Sequence, residues 1–518
     1  MEFSEVDILQ IEEKGLTTKE VERQLQIFKR GNIKVDIQEA ATVGNGIFAY
    51  DEKTKHAFIE KFEAEKDKLE VLKFVPASGA ATRMFKALHN FATDFNPEKE
   101  SLRDYLDKVN DKSLQLFFEK MENLPFYKKA KQQVEINDAD FSNKSTNEQK
   151  LQLVKTMLYE DGLNLSNLPK GLVPFHAYPN YTATAFEEHL HSAAKFIAIK
   201  GLAKLHFTVA EKDKEKFEAE FQAIKKRVEK DTETRFEITY SFQDPKTDTI
   251  AATKENNAFR DEENKLFFRP GGHGALIENL NQQKADLIFV KNIDNVVVSD
   301  VRSKMVEMKK MLGGKLLALQ SQIFNYLEKL DSNTVSEPEL DEIAKYLEEE
   351  LFVSGLSEFT NFNKTDKIKL LHEKLNRPLR VCGMVKNEGE AGGGPFLVKD
   401  DKGEISLQII EGAQIDKENE KQLQLLNNST HFNPVDIVCG TKDYKGDHFQ
   451  LDDFVNEKMS FIANKTKDGK ALKALERPGL WNGGMAYWNT VFIEVPVETF
   501  NPVKTVADLL KPSHQVDK

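Results

Sequence analysis

Two stretches of this chain combine small residues with charges in a way that suits an anion. Val75-Pro76-Ala77-Ser78-Gly79-Ala80-Ala81-Thr82-Arg83-Met84-Phe85-Lys86 is the first. Small side chains let backbone N–H groups approach an anion closely, and a helix start adds partial positive charge. Arg83 and Lys86 supply full charges suited to phosphate oxygens. An ordinary strand-to-helix turn with two surface cations has the same composition. The second stretch is Arg269-Pro270-Gly271-Gly272-His273-Gly274, with a further glycine run at Gly392-Gly393-Gly394. Only 27 glycines occur in 518 residues, below the usual share of roughly 7%, so these clusters are not compositional accidents. Asp294, in Lys291-Asn292-Ile293-Asp294-Asn295, suits a hard cation such as Mg2+ shared with phosphate oxygens, or the simple capping of a turn. Lys170 in Pro169-Lys170-Gly171 and Lys504 in Asn501-Pro502-Val503-Lys504 read, taken alone, as surface lysines.

Spacing excludes several other chemistries. Gly272-His273-Gly274 lacks the third glycine of a dinucleotide fingerprint, and neither a Gly-Lys-Ser/Thr loop nor a Gly-x-Ser-x-Gly elbow occurs. Asp138, Asp140 and Ser142 begin like a calcium loop, but Asn143 and Gln149 occupy its sixth and twelfth positions. Glu188, His189 and His191 sit within a helical stretch, where residues two apart point to different sides, so a zinc site is not expected.

The elements that must position these residues follow from periodicity. Residues 69–75 are β-branched and apolar, a buried strand. Met84, Phe85, Leu88 and Phe91 recur at helical spacing after it, which predicts strand, loop, then a helix with Arg83 and Lys86 in its first turn. Residues 204–209 and 235–242 predict further strands. The apolar run 285–290 predicts a buried strand whose carboxyl end carries Asn292 and Asp294, the end where open α/β sheets place ligands. Residues 1–66 read mainly as helices, with capping-box spacing in Thr17-Thr18-Lys19-Glu20 and a loop at 41–46. Residues 92–168 read as polar helices, and 301–377 as helices with a Met/Leu stripe at 305–329. A strand pattern resumes at Leu379. Strands alternating with helices predict an α/β core with a parallel or mixed sheet.

Bulk properties narrow the partners. A chain of 518 residues with 40% hydrophobic and 31% charged content predicts a globular protein of two or three subdomains. Its formal net charge of −12 argues against nucleic acid and anionic membranes. No apolar run is long enough to span a bilayer, and the acidic start Met1-Glu2-Phe3-Ser4-Glu5 has no signal-peptide core. Two distant cysteines, Cys382 and Cys439, fit a reducing cytoplasm.

Five segments together resemble the UDP-sugar pyrophosphorylase group of nucleotidyltransferases. Ala77-Ser78-Gly79-Ala80-Ala81-Thr82-Arg83-Met84 is similar to the family's nucleotide loop, Ala-Gly-Gly-x-Gly-Thr-Arg-Leu, and Pro169-Lys170 to the Pro-Lys that completes it. Pro270-Gly271-Gly272-His273-Gly274 resembles the base-contacting Pro-x-Gly-His-Gly, and Asn292-Ile293-Asp294-Asn295 the Asn-x-Asp-Asn strand end. Phe500-Asn501-Pro502-Val503-Lys504 with Asp508-Leu509-Leu510 resembles Phe-x-Pro-Val-Lys with Asp-Leu-Leu. Over most of its length, including Gly-Met-Val-Lys-Asn-Glu-Gly-Glu at 383–390 and Trp-Asn-Gly-Gly-Met at 481–485, the chain also resembles an uncharacterised bacterial family of about this length.

The resemblance implies a Rossmann-like nucleotidyltransferase core of GT-A type with a mixed sheet, a helical N-terminal region and helical insertions. The implied division is 1–68 helical N-terminal region, 69–300 nucleotide-binding core with 92–168 inserted, 301–378 helical subdomain, and 379–518 the sugar-binding remainder. The implied reaction is Mg2+-dependent transfer from a nucleoside triphosphate, expected to be UTP, to a sugar 1-phosphate. Arg83, Lys170 and Lys504 are the implied catalytic cations and Asp294 the implied metal ligand. Ala77, Ser78, Gly79, Ala80, Gln243, Gly271, Gly272 and His273 are implied to bind nucleotide, and Asn292, Glu411 and Asn489 sugar phosphate or ribose. Ser78 and Ala81 stand where the family has glycine, and the residues after Leu510 are too few for the left-handed β-helix many relatives add. A nucleotide-sugar sensor without turnover, or a glycosyltransferase on the same fold, are therefore the alternatives.

Overall fold

A computed structural model describes residues 3–516 apart from 355, 357, 358, 390, 391, 401, 402 and 468, so Glu390 of the 383–390 segment lies outside the described residues. The chain divides into two compact units, each assembled from separated segments. One comprises Met1–Phe74, Ser241–Val290 and Met308–Val497; the other Val75–Tyr240, Lys291–Glu307 and Glu498–Lys518.

In the first unit, hydrogen-bonded strands follow the order Thr42–Val43, Gly46–Phe48, Asn489–Glu494, Leu379–Lys386, Asp436–Gly440, Leu287–Lys291, Val71–Pro76. Leu379–Lys386 runs parallel to Asn489–Glu494 and antiparallel to Asp436–Gly440, and Leu287–Lys291 runs parallel to Val71–Pro76, so the sheet is mixed. Buried residues run almost unbroken along Leu379–Lys386 and Val71–Pro76, the pattern of strands covered on both faces. The Met/Leu stripe lies in the helix Arg302–Asp331, where Met311, Leu312, Leu316, Leu319 and Leu327 are all core. An antiparallel sheet of Phe268–Arg269, Thr249–Ala252, Lys470–Glu476 and Phe461–Lys467 packs against the helix Thr18–Arg30 through Val21, Leu25 and Phe28.

The N-terminal region departs from the helical expectation. Beside the helices Glu5–Glu13, Thr18–Arg30 and Glu52–Glu65 it contributes the strands Asp36–Ala40, Thr42–Val43 and Gly46–Phe48. Asp36–Ala40 pairs with Gly394–Lys399, hundreds of positions away, a pairing that local periodicity does not register. At Thr17 only half the capping box forms. The Thr17 hydroxyl accepts from Glu20 N at 3.2 Å, while the Glu20 carboxylate binds Arg23 through two 2.9 Å hydrogen bonds.

In the second unit, Leu202–Thr208 lies beside Arg235–Ser241. Where Val71–Pro76 runs out, Ala77 N continues the pairing by donating to Thr208 O at 2.8 Å. The stretch 92–168 is helical, with Leu102–Val109, Lys112–Lys120, Tyr127–Asn137 and Thr146–Leu158. An aromatic cluster of Phe91, Phe95, Tyr105 and Phe118, with ring centroids 4.7–5.5 Å apart, holds Lys86–Asp94 against its neighbours.

Candidate functional site

Residues 78–80 form an exposed loop at the carboxyl end of Val71–Pro76, and no described group accepts from their N–H groups. Three consecutive N–H groups without described partners are donors open to an anion. The chain then differs from the sequence reading. Ala81–Arg83 is a single 3₁₀ turn, and the α-helix starts only at Lys86. Arg83 is thus fixed by the turn rather than by a helix terminus; its side chain is exposed and makes no ion pair with a described residue. Ala81 is fully buried, so its methyl lies in the packing, whereas Ser78 faces solvent.

Pro169-Lys170 docks directly against this loop. Lys170 N donates to Gly79 O at 2.9 Å and Ala81 N to Leu168 O at 3.1 Å, a short antiparallel bridge. Gly171 permits it, since a Cβ there would stand 3.0 Å from Ile293 Cγ1 and 3.1 Å from Phe217. That close approach brings Lys170 Nζ within 2.5 Å of Asp294 Oδ2, with both side chains more than four-fifths buried.

The C-terminal segment completes the cluster. Asn501 N donates to Asn295 Oδ1 at 2.9 Å, Val503 N to Asp294 O at 3.2 Å and Val506 N to Met84 O at 3.1 Å. Lys504 therefore lies on a strap bonded on one side to Asp294 and on the other to the residue after Arg83. Its Nζ sits 6.0 Å from the centre of the Phe500 ring and has no carboxylate partner among the described residues. Asp508 has a structural part, accepting from Lys504 N, Thr505 N and the Thr505 hydroxyl. So Arg83, Lys170, Asp294 and Lys504 are joined through one continuous set of backbone and side-chain bonds.

Sequence reasoning missed Lys291 and the histidines beneath the strap. Lys291 is fully buried one turn before Asp294; burial pulls its ammonium down to about 7, against the opposing charge of Asp294. His176 Nε2 and His514 Nδ1 share a hydrogen bond of 2.9 Å, and His176 Nδ1 meets Glu188 Oε1 at 2.7 Å. Arg302 and Tyr178 hold the same carboxylate at 2.5 and 2.8 Å. Burial would raise Glu188, but the His176 hydrogen bond and the charges of His176 and Arg302 bring it down to about 2. Burial and the neighbouring His176 lower His514 to about 3. His189 Nε2 donates to Ile293 O at 3.1 Å, since a carbonyl oxygen can only accept. Among the described residues no group of three or more His, Cys, Asp or Glu could hold a metal. An ion at Asp294 would draw one hard oxygen ligand from the protein and the rest from phosphates and water, a donor set that fits Mg2+.

Of the remaining expected residues, Asn292 belongs to the same unit, and Gln243, Gly271, Gly272, His273, Glu411 and Asn489 belong to the other. His273 stacks on Trp481 with centroids 4.4 Å apart, accepts from Leu480 N at 3.1 Å through Nδ1 and approaches Glu411 Oε1 to 3.7 Å through Nε2. Asn482 Nδ2 donates to the same carboxylate at 3.2 Å, so His273 and Glu411 form one group. Gly271, Gly272 and Gly274 pack against the 476–478 segment, where a Cβ on Gly274 would meet Pro478 O at 2.3 Å. Gln243 is partly buried, and its Nε2 has no partner among the described residues. Asn489 stands apart from that group: its Nδ2 donates to Leu375 O at 3.1 Å. Asn292 is half-buried at the end of Leu287–Lys291.

A family model described as a domain of unknown function, DUF4301, matches residues 4–515. No curated protein matches the sequence. Among solved structures the chain is similar to a UDP-N-acetylglucosamine pyrophosphorylase from Trypanosoma brucei in complex with inhibitor, at 10% identity and a TM-score of 0.47, covering 95% of this chain and 74% of that one. It is similar to a mutant UDP-glucose pyrophosphorylase from Leishmania major in complex with UDP-glucose, at 12% identity and a TM-score of 0.43, covering 98% and 79%. A UDP-glucose phosphorylase from Trypanosoma brucei gives 12% identity, a TM-score of 0.45 and coverage of 98% and 77%. No helix among the described residues is long and apolar enough to cross a membrane.

Proposed function

We propose that this chain, which belongs to the DUF4301 family, is a nucleotidyltransferase that joins a nucleoside triphosphate, read as UTP, to a sugar 1-phosphate with release of pyrophosphate. The observation that carries the reading is the bonded cluster of Arg83, Lys170, Asp294 and Lys504 around an exposed loop with free N–H groups. In a protein of net charge −12, it gathers three cations against one carboxylate where phosphates could sit.

In this reaction an oxygen of the sugar phosphate attacks the α-phosphorus, the bond to the β-phosphate oxygen breaks, and pyrophosphate leaves with the electron pair. No protein nucleophile is required; positioning and charge neutralisation supply the rate. The 78–80 N–H groups and Arg83 hold the leaving pyrophosphate, and Lys170 and Lys504 neutralise the reacting phosphates. Asp294, held in place by Lys170, would carry Mg2+, which when bound supplies charge to the phosphate oxygens. Gln243, Gly271, Gly272 and His273 are assigned to the base, and Asn292 and Glu411 to the sugar.

Arg83→Ala and Asp294→Asn test the reading. Each should lower pyrophosphate release by about 100- to 1,000-fold, with the denaturation midpoint unchanged for Arg83→Ala. Wild-type rates in both variants overturn it. Stabilisation by UTP or UDP-sugars without turnover in the unmodified protein would instead make the chain a nucleotide-sugar sensor, and release of UDP from a UDP-sugar a glycosyltransferase.

A further inference from the structure

The loop 479–485 carries the Trp-Asn-Gly-Gly-Met segment, to which the proposed reaction assigns no part. A buried charge pins it. Arg380 is fully buried and has no carboxylate partner among the described residues. A guanidinium taken out of water without a countercharge is costly. Its donors go instead to this loop and the strand after it, Nη1 to Trp481 O at 2.5 Å and Nε to Thr490 Oγ1 at 2.9 Å.

His273 and Glu411 both lean on the pinned loop. Leu480 N donates to His273 Nδ1 at 3.1 Å, and the Trp481 ring stacks on the imidazole. A Cβ on Gly479 would stand 2.3 Å from both His273 Cε1 and Asn482 Oδ1, so a glycine lets the loop close this tightly. Asn482 is 1% exposed, and each of its polar atoms is used. Its N donates to Gly479 O at 3.1 Å, its O accepts from Met485 N at 3.0 Å, and its Oδ1 accepts from Gly483 N at 2.9 Å. These three bonds stay within the loop and settle which end of the amide is which, so the other end, Nδ2, can only donate. It donates to Glu411 Oε1 at 3.2 Å, 71 positions away. The Glu411 side chain is 30% exposed, open to a ligand from which the buried Asn482 is screened.

We propose that Asn482 is a positioning residue, which aims the Glu411 carboxylate so that it accepts from a hydroxyl of the bound sugar. The inference rests on the reading of the chain as a sugar-phosphate nucleotidyltransferase in which Glu411 is assigned to the sugar. A carboxamide suits this part, since one N–H holds the carboxylate and leaves its other lone pairs for hydroxyl donors.

Calorimetric titration of the full-length protein with UDP-glucose, UDP-galactose and UDP-N-acetylglucosamine, with UDP as the control, tests it. Asn482→Asp keeps the shape of the side chain and the bond from Gly483 N, but sets an acceptor against Glu411. It should weaken the tightest-binding UDP-sugar at least about tenfold, the worth of a hydrogen bond to a charged group, and leave UDP within about twofold. Asn482→Ala adds no charge and should show the same selectivity. On a Glu411→Gln background, which offers a donor to the new acceptor, Asn482→Asp should cost nothing further. Undiminished UDP-sugar affinity in both variants overturns the proposal. So does an equal loss of UDP and UDP-sugar, or a loss that adds to that of Glu411→Gln. Each of these leaves UDP binding by the unmodified protein, and with it the proposed function, in place. Binding of neither UDP nor any UDP-sugar by the unmodified protein overturns that function, and this inference falls with it.

Discussion

Gly274 and Gly79 sit in loops of similar composition, yet their surroundings demand different things of a side chain. A Cβ on Gly274 would press on Pro478 O at 2.3 Å and Arg477 O at 2.9 Å, both backbone atoms, whereas a Cβ on Gly79 meets nothing within 4 Å. Gly274→Ala should therefore destabilise the protein by about 1–3 kcal/mol, the range for overpacking a rigid site. Gly79→Ala should stay within about 0.5 kcal/mol and act, if at all, on nucleotide affinity. Urea midpoints of the two variants separate these outcomes. Both glycines were legible as loop residues from sequence, but which one was sterically obligatory was not, because Pro478 approaches from two hundred positions away. Arg83 and Asp294 were legible from their loop and strand-end settings as well as from motif resemblance, Lys170 and Lys504 from the resemblance alone. Lys291 was not, because a lysine at a strand end reads as solvated until its burial is known.

At the scale of the element, the strap 498–516 decides how Lys504 is held. Its far end is pinned by His514 to His176 and through it to Glu188, while Val298 N donates to Ser513 O at 3.1 Å. His514 is lowered to about 3, below the ordinary imidazole value of 6.5, so the unfolded chain takes up a proton there first. Stability from this histidine is complete above about pH 6.5 and drains as pH falls toward 3, at about 1.4 kcal/mol per pH unit in that window. Glu188, lowered from 4.5 to about 2, adds a second loss that begins below about pH 4.5. Hydrogen exchange in peptides covering 498–516 should accelerate between pH 6.5 and 4.5, and His514→Gln should flatten that dependence. Equal acceleration in the variant would place the acid sensitivity elsewhere. Glu188, His189 and His191 are metal-ligand residue types, but their spacing on a helix speaks against a zinc site. The structure gives Glu188 the Arg302 guanidinium, the Tyr178 phenol and the His176 imidazole, partners contributed by two separate segments and invisible to any local spacing rule.

At the scale of the whole chain, the two units interleave, with crossings at 74/75, 240/241, 290/291, 307/308 and 497/498. Periodicity and composition are read along the chain, so they located strands and helices well but carry no information about which segments share a core. The last segment shows the consequence. Removing 498–518 deletes Lys504, and it also removes the bonds to Asp294, Met84 and Asn295, the partner of His176, and Thr499 O, which accepts from the buried Lys291 at 3.4 Å. Buried polar groups left without partners cost about 1–3 kcal/mol each, so the loss is structural as well as catalytic. Lys504→Ala removes only an exposed charge. The expectation is that truncation after Val497 exposes amides across 75–240 to rapid exchange and abolishes nucleotide binding. Lys504→Ala should keep native exchange protection and lower pyrophosphate release by about 100-fold. Native protection in the truncated chain would mean that the strap serves only to deliver Lys504, and that the core of this unit is complete without it.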